Sequence, residues 1–333
     1  MRSKHVWAAS ILLILLILSM AGGLYIGSFD FSFGEIFSVL TGSEIENQDI
    51  IIDLRLPRVL LTAFTGAILA LSGFFMQALI KNPLADPYIM GVTAGAGFGV
   101  NILILGLIPI SGFTYFTMPL FAGVGSLASL LLVLGLGYRS LREDNSQLLI
   151  VGVAVSSIFT ALTGVLIYRF AQSDQVRRLV FWTFGSFGHA TWEAVAVCGP
   201  VLLFSIIFGM VYGRRMDILI LGDIQAQTLG MEVSRVKMIL LLVSSLIVGT
   251  TVAFTGPIGF VGMMIPHFCR ALFGAAHRPN ILLGTLMGAA FLTGCDVLGR
   301  IILPPAGLPT GIITSILGVP FFLYILFSRK SYL

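Results

Sequence analysis

The sequence predicts an all-α membrane protein: about ten transmembrane helices, with two halves that resemble an inverted repeat. Three observations predict it. The 333 residues are 57% apolar and only 10% charged, with a mean hydropathy of +1.02, whereas a soluble domain is about 25% charged. The apolar residues fall in runs long enough to cross a bilayer, which takes about 20 residues per helix. The few charges stand between those runs. One water-soluble core cannot hide this much apolar surface, so lipid is the solvent, and residues 1–333 read as a single polytopic domain. The net charge of +4 fits basic cytoplasmic loops better than it fits a nucleic-acid partner.

Taken in order, the apolar runs predict spans at 6–26, 58–79, 92–109, 114–137, 148–168, 192–212, 238–254, 258–272, 280–298 and 311–328. Arg2 and Lys4 before the first run, with Ala21-Gly22-Gly23 after it, have the pattern of a signal peptide. The run itself is long enough to span, and it reads as the first helix. With the N-terminus in the cytoplasm, 13 of the 19 Lys and Arg residues fall inside and six outside. That asymmetry supports this orientation and an even number of spans, with both termini cytoplasmic. Outside, Phe31, Phe33, Ile36, Phe37 and Leu40 form a short amphipathic piece suited to the membrane surface. A second outer segment, 169–190, carries Arg177, Arg178 and Trp182, and Trp192 follows; the two tryptophans fit an interfacial belt.

Gly91, Gly95 and Gly99 repeat every four residues, as do Gly284 and Gly288. Small residues at that spacing let helices approach closely and mark packing, not chemistry. Two segments break helices. One is Lys81-Asn82-Pro83-Leu84-Ala85-Asp86-Pro87, and the other is Thr255-Gly256-Pro257-Ile258-Gly259-Phe260. Irregular backbone at membrane depth is tolerated only where protein or water surrounds it. The breaks follow spans 2 and 7. An odd offset reverses direction, so spans 2–5 and 7–10 are candidates for an inverted repeat.

The polar insert from Arg214 to Lys237 holds seven of the chain's 34 Asp, Glu, Lys and Arg residues. The expected local structure is a short helix capped by Asp223 and closed by Gly230. Two readings compete: a solvated connector, or a handle by which another protein moves the membrane part.

The chemistry that is missing excludes several classes. No lysine stands in a GxxxxGK[ST] setting, so no P-loop can form. His5, His189, His267 and His277 lie far apart, and Cys198, Cys269 and Cys295 form no CxxC. No metal site, cofactor or catalytic residue is expected. His267 reads as a capping or interfacial residue. Asp296 and Arg300 suit an i,i+4 pair. A secondary, ion-coupled carrier usually keeps carboxylates near the midplane, and none stands there; that alternative, like a membrane-embedded enzyme, lacks its residues.

Many motifs occur together in order: Arg55-Leu56-Pro57-Arg58; Gly73-Phe74-Phe75-Met76-Gln77; Asn82-Pro83-Leu84-Ala85-Asp86-Pro87; Leu221-Gly222-Asp223 with Ala226 and Leu229-Gly230. They continue with Gly256-Pro257-Ile258-Gly259-Phe260-Val261-Gly262, Pro266-His267, Leu308-Pro309-Thr310-Gly311 and Gly318-Val319-Pro320-Phe321-Phe322. From about Leu54 to the C-terminus the chain resembles the permease subunits of type II ATP-binding-cassette importers, which carry ferric siderophores, haem and vitamin B12. One departure is Gly307, where the family commonly has Glu. The resemblance implies a vitamin B12 permease-like bundle of ten helices in the inner membrane, without enzymatic activity of its own. Its implied partners are a second permease copy or a paralogue, two cytoplasmic ATPases and an outer substrate-binding protein. It further implies an ATPase-coupling segment of Leu221, Gly222, Asp223, Ala226, Leu229 and Gly230. Arg55, Arg58 and Arg300 would dock the binding protein, where headgroup anchoring is the competing role. Asn82, Leu84, Asn145 and Ser146 would form the cytoplasmic gate, where turn and cap chemistry competes.

The charge asymmetry sets the orientation, and a reporter tests it. A topology reporter fused after Leu333 is expected to read as cytoplasmic; a periplasmic signal overturns the assignment.

Overall fold

The computed structural model describes residues 2–82, 85–109, 116–137 and 145–328. Helices dominate, and no strand occurs among the described residues. Seven helices are long and apolar enough to cross a membrane, and three shorter apolar helices accompany them. These ten match the ten predicted spans in order.

The elements are α1 (Arg2–Tyr25), α2 (Phe33–Leu40), a π-helical turn (Ile50–Arg55), α3 (Leu56–Ile80), a 3-10 turn (Pro87–Met90), α4 (Val92–Ile104), α5 (Thr117–Gly137) and α6 (Asn145–Phe170). There follow α7 (Ser173–Thr183), α8 (Trp192–Ile220), α9 (Asp223–Thr228), α10 (Val233–Thr255), α11 (Val261–Phe273), α12 (His277–Ile302) and α13 (Thr310–Ser328). The predicted surface piece is α2, started by a reciprocal pair of hydrogen bonds between Ser32 and Glu35. Ile36 and Val39 face inward, while Phe33 and Phe37 are exposed.

α3 is the centre. It is apolar on every side, and 89% of its most apolar window is buried, as expected for the core of a bundle. α1 stands at the other extreme with 11% buried, a helix left mostly to lipid. Between apolar helices in lipid there is little hydrophobic drive, so close backbone contact does the packing. A Cβ on Gly73 would stand 1.8 Å from the Gly262 carbonyl oxygen of α11, and one on Gly66 would stand 2.2 Å from that of Gly288 on α12. Gly95 meets Gly125 of α5 at 2.2 Å in the same sense. The glycine repeat therefore marks real crossings, but Gly91 is different. It has φ +78° and starts α4.

The two breaks fall where the sequence places them, and each contains a non-glycine residue in the left-handed region: Lys81 at φ +57° and Phe260 at φ +71°. Each is followed by a 13-residue helix, α4 and α11. The order long helix, break, short helix, long helix thus recurs in both halves. The breaks also touch. The Ile258 N–H donates to the Tyr88 hydroxyl at 3.1 Å. Gln77 donates to the Gly262 and Met263 carbonyls at 3.3 and 3.1 Å, and Arg270 donates to the Gln77 side-chain oxygen. Ser129 and Ser126 of α5 donate to the Gly91 and Val92 carbonyls. Backbone freed by one break is satisfied by the rest of the bundle.

Some predicted boundaries shift. The sixth span ends at 212 by hydropathy, yet α8 continues to Ile220 through Arg214, Arg215 and Asp217. Hydropathy reports where the bilayer stops, whereas a helix continues until its backbone is capped. The second span gains a preceding π-helical turn, and the eighth begins at Val261.

The crossing of α3 with α11 is sensitive to one methyl group. Gly73→Ala is expected to lower the thermal midpoint in detergent, at a cost of about 1–3 kcal/mol for overpacking. Gly123→Ala, with no atom within 4 Å of the added carbon, should not lower it. Equal midpoints for the two variants would remove the crossing from the account.

Candidate functional site: an exposed short helix tied by ion pairs

The two ends of α3 carry the chain's coupled charges. At the end that holds Arg55, a single carboxylate gathers three elements. Arg58 lies in the first turn of α3 and donates from Nε and Nη2 to Asp296 of α12 at 3.0 and 2.8 Å. Arg300, one helical turn beyond Asp296, places Nη2 2.9 Å from its other oxygen, so the i,i+4 pair expected from the sequence is present. Thr310, which opens α13, donates to the same carboxylate at 3.0 Å. The Asp296 side chain is 1% exposed.

Arg55 and Arg300 also hold the end of α1. The last carbonyls of a helix have no partner within it. Arg55 donates to the Leu24 and Tyr25 carbonyls at 2.6 and 2.9 Å and to that of Phe29. Arg300 donates to the Gly23 and Ile26 carbonyls at 2.8 and 3.0 Å. Cations at a helix C-terminus also match its dipole. Arg55, Arg58 and Arg300, the residues expected to dock the binding protein, all make contacts within the chain. Arg55 is buried over the Phe31 ring, and all three guanidinium groups are engaged within the chain. The expectation missed this because a sequence shows charge but not the carbonyls that α1 delivers to it.

At the opposite end of α3 stands the polar insert. α9 spans Asp223–Thr228, and Gly222, with φ +122°, is its N-cap. Asp223 is therefore not the cap that the spacing suggests. Its two oxygens are taken by two ammonium groups instead: Lys81 Nζ at 2.6 Å from one, Lys237 Nζ at 2.6 Å from the other. Burial opposes the charge on Asp223, but the hydrogen bonds and positive charge of Lys237 and Lys81 outweigh it and hold the carboxyl below its ordinary 3.8. A depressed carboxylate keeps its stabilising contribution above its unfolded pKa and loses it only as pH falls through the folded one. Asp223 is thus ionised at neutral pH, and its contribution to the cluster is lost as the pH falls.

Ala226 brings a second correction. It is fully buried within the chain itself, so its small size serves the packing of α9 on its own bundle and not a partner's approach. The exposed apolar residues are Leu221, Ile224 and Leu229, at 61%, 75% and 64%. Gly230 closes the helix with φ +80°. Ile224 lies outside the motifs that carry the resemblance, but the sequence alone already marks it, with Ala226 and Leu229, as an apolar residue of this short helix.

The predicted gate residues are only partly visible. Asn82 is half-buried at the break after α3. Leu84 lies outside the described residues, and so do the side chains of Asn145 and Ser146, which open α6. Gly307 has φ +72° and joins α12 to α13, beside Arg300. His267 packs edge-on against Phe321. Among the described residues no group of three or more His, Cys, Asp or Glu could hold a metal ion.

Removing the shared carboxylate should cost far more than removing an exposed one. Asp296→Asn leaves two partly buried guanidinium groups facing an amide at a position that is 1% exposed, and a loss of about 3 kcal/mol is expected in denaturation. Asp174→Asn, which breaks the exposed pairs with Arg177 and Arg178, should cost under about 1 kcal/mol. Comparable losses would mean that Asp296 only decorates the bundle.

Comparison with known proteins agrees with this architecture. The haemin transport system permease protein HmuU of Yersinia pestis is 35% identical over 323 residues, covering 96% of this chain and 95% of that protein. The vitamin B12 import system permease protein BtuC of Vibrio parahaemolyticus is 35% identical, covering 88% and 87%. A solved metal-chelate type ABC transporter in an inward-facing conformation superposes with a TM-score of 0.84 at 29% identity, covering 96% of this chain and 98% of that one. The model of the FecCD transport family matches residues 11–328, nearly the whole chain, and this protein belongs to the FecCD transport family.

Proposed function

We propose that this chain is the membrane permease of an ATP-driven importer whose cargo is an iron chelate such as a siderophore complex, haem, or a corrinoid such as vitamin B12. It is a passive pathway of the inner membrane, with both termini in the cytoplasm. Two copies of it, or one with a paralogue, enclose the path; two ATPase subunits sit beneath, and a periplasmic or lipid-anchored binding protein delivers cargo from outside. The relatives named for haemin and vitamin B12 transport support the class of cargo, a bulky metal chelate, without choosing among its members.

The observation that carries this reading is α9. A six-residue helix is far too short to be stable alone, so the fold must hold it in place. Yet it turns Leu221, Ile224 and Leu229 away from the bundle, where they stay exposed. A short helix offering a few apolar anchors fits a groove in a partner, with polar residues at the rim. The absence of any P-loop in the sequence agrees: energy enters through that partner. The outer arginines, committed inside the chain, are left as positioning groups for the surface that meets the binding protein.

Ile224→Asp and Leu229→Asp test the reading. Both side chains are exposed, so the fold should persist, while each anchor lost should weaken ATPase capture by about 2 kcal/mol or more. Gln227→Lys, also exposed, should change little. Normal capture and normal ATP hydrolysis in vesicles by both aspartate variants would rule out α9 as the ATPase grip. Ala226→Arg cannot serve here, because it would disrupt the packing of α9 on its own chain first.

A further inference from the structure

The Asp223 carboxylate joins three parts of the chain that are separate in sequence. Asp223 is the first residue of α9. Lys81 is the left-handed C-cap of α3 and the first residue of the break that runs to the Pro87–Met90 turn. Lys237 belongs to the second turn of α10, and its side chain is 2% exposed. Each ammonium takes its own carboxylate oxygen at 2.6 Å, so one carboxylate ties both lysines to α9 at once. Apolar packing does not fix α9 in this way. Ala226 is its single buried side chain, and a lone methyl group resists sliding weakly.

From this juxtaposition we infer that Asp223 is a positioning residue that ties α9 to the C-cap of α3, so that displacement of α9 reaches Asn82 through Lys81. The inference rests on the reading of α9 as the helix an ATPase grips. Lys81 is where the transmission enters the break. A lysine held in the left-handed region is strained, and its ammonium is anchored to the helix that the partner displaces. The break in turn holds Tyr88, which is bonded to Ile258 in the second break. The Asn82 carbonyl, next to Lys81, accepts from the Ala85 N–H at 3.0 Å within the same break. Lys237 supplies the counterpart: it roots the carboxylate to α10, the helix that leads to that second break. Charge-assisted bonds suit this task, since they are short, directional and strong in a poorly hydrated setting.

The test uses the complete permease–ATPase complex in lipid vesicles, with Asn82→Cys as the reporter. The native Cys198, Cys269 and Cys295 are buried and react slowly with a polar maleimide. Labelling of the reporter is followed without nucleotide and with a non-hydrolysable ATP analogue. With Asp223 intact, the labelling rate should change by about fivefold or more between the two states, the lower range of a useful coupling. In Asp223→Asn the ATPase should still be captured, while the nucleotide-dependent change falls to within about twofold. Lys81→Met, which leaves the Lys237 pair in place, should do the same, and the double variant should be no worse than either single one. A full nucleotide response in Asp223→Asn or Lys81→Met overturns the inference and leaves the ATPase assignment standing. So does a reporter that never responds. Loss of ATPase capture in Asp223→Asn also overturns it, by making Asp223 part of docking. Failure of the ATPase assignment shows itself separately, as normal capture by Ile224→Asp. If Asp223→Asn does not fold, the Lys81→Met response decides alone.

Discussion

The structure depends on one constraint: no backbone group inside the bundle can be left to water. Straight helices meet it by themselves. The two breaks do not, and their satisfaction organises the core. Tyr88 accepts the Ile258 N–H across the bundle, and Gln77 covers the carbonyls of Gly262 and Met263. These contacts require α3 and α11 to lie almost backbone to backbone, which is why Gly73 and Gly262 face one another. The hydrogen bonds and the glycine crossing are therefore a single feature. Neither is useful without the other, because a side chain at the crossing would pull the amide of Gln77 out of reach.

α1 shows how the same constraint operates at a helix end. Much of its surface is exposed, and it packs on α12, with Val297 beside Gly22 and Gly23. Its end is tied as well: the Gly23, Leu24 and Tyr25 carbonyls are taken by guanidinium groups from α12 or from the π-helical turn before α3. Arginine suits this role because its planar fork presents several donors at once and stays charged. The carboxylate of Asp296 keeps the assembly from concentrating three like charges, since Arg58 and Arg300 both lie against it.

Hydropathy and helix breakers sufficed for the ten helices, their order and the places where two of them are interrupted. These features follow from the composition of contiguous segments, which a sequence displays directly. The ends of α8, the role of Ala226 and the partners of Asp223 were not legible, for a common reason. Each depends on what the rest of the chain brings near. Asp223 looks like a cap because caps are local, and its true partners are 142 and 14 residues away. The contacts of Arg55 were hidden in the same way: the carbonyls that engage it come from 31, 30 and 26 residues earlier. Gly73 and Gly262 could be seen only as isolated glycines, because their meaning lies in the pairing.

The two ends of α3 share one plan. At each end a basic residue of α3 or its cap meets a carboxylate that a second cation also holds: Arg58, Asp296 and Arg300 at one end, Lys81, Asp223 and Lys237 at the other. The chemistry differs in a way that matters mechanically. The first cluster uses guanidinium forks on a carboxylate that is 1% exposed, with Arg58 bonding both oxygens. Planar, multiply bonded and dry, it has one geometry. The second uses two lysines on a carboxylate that is 34% exposed. An ammonium on a flexible stem can follow its partner through a range of positions without losing the bond. One end of the central helix is thus fixed and the other is tethered but yielding. A helix held this way can pivot about its Arg58 end, and any motion at its Lys81 end stays coupled to α9.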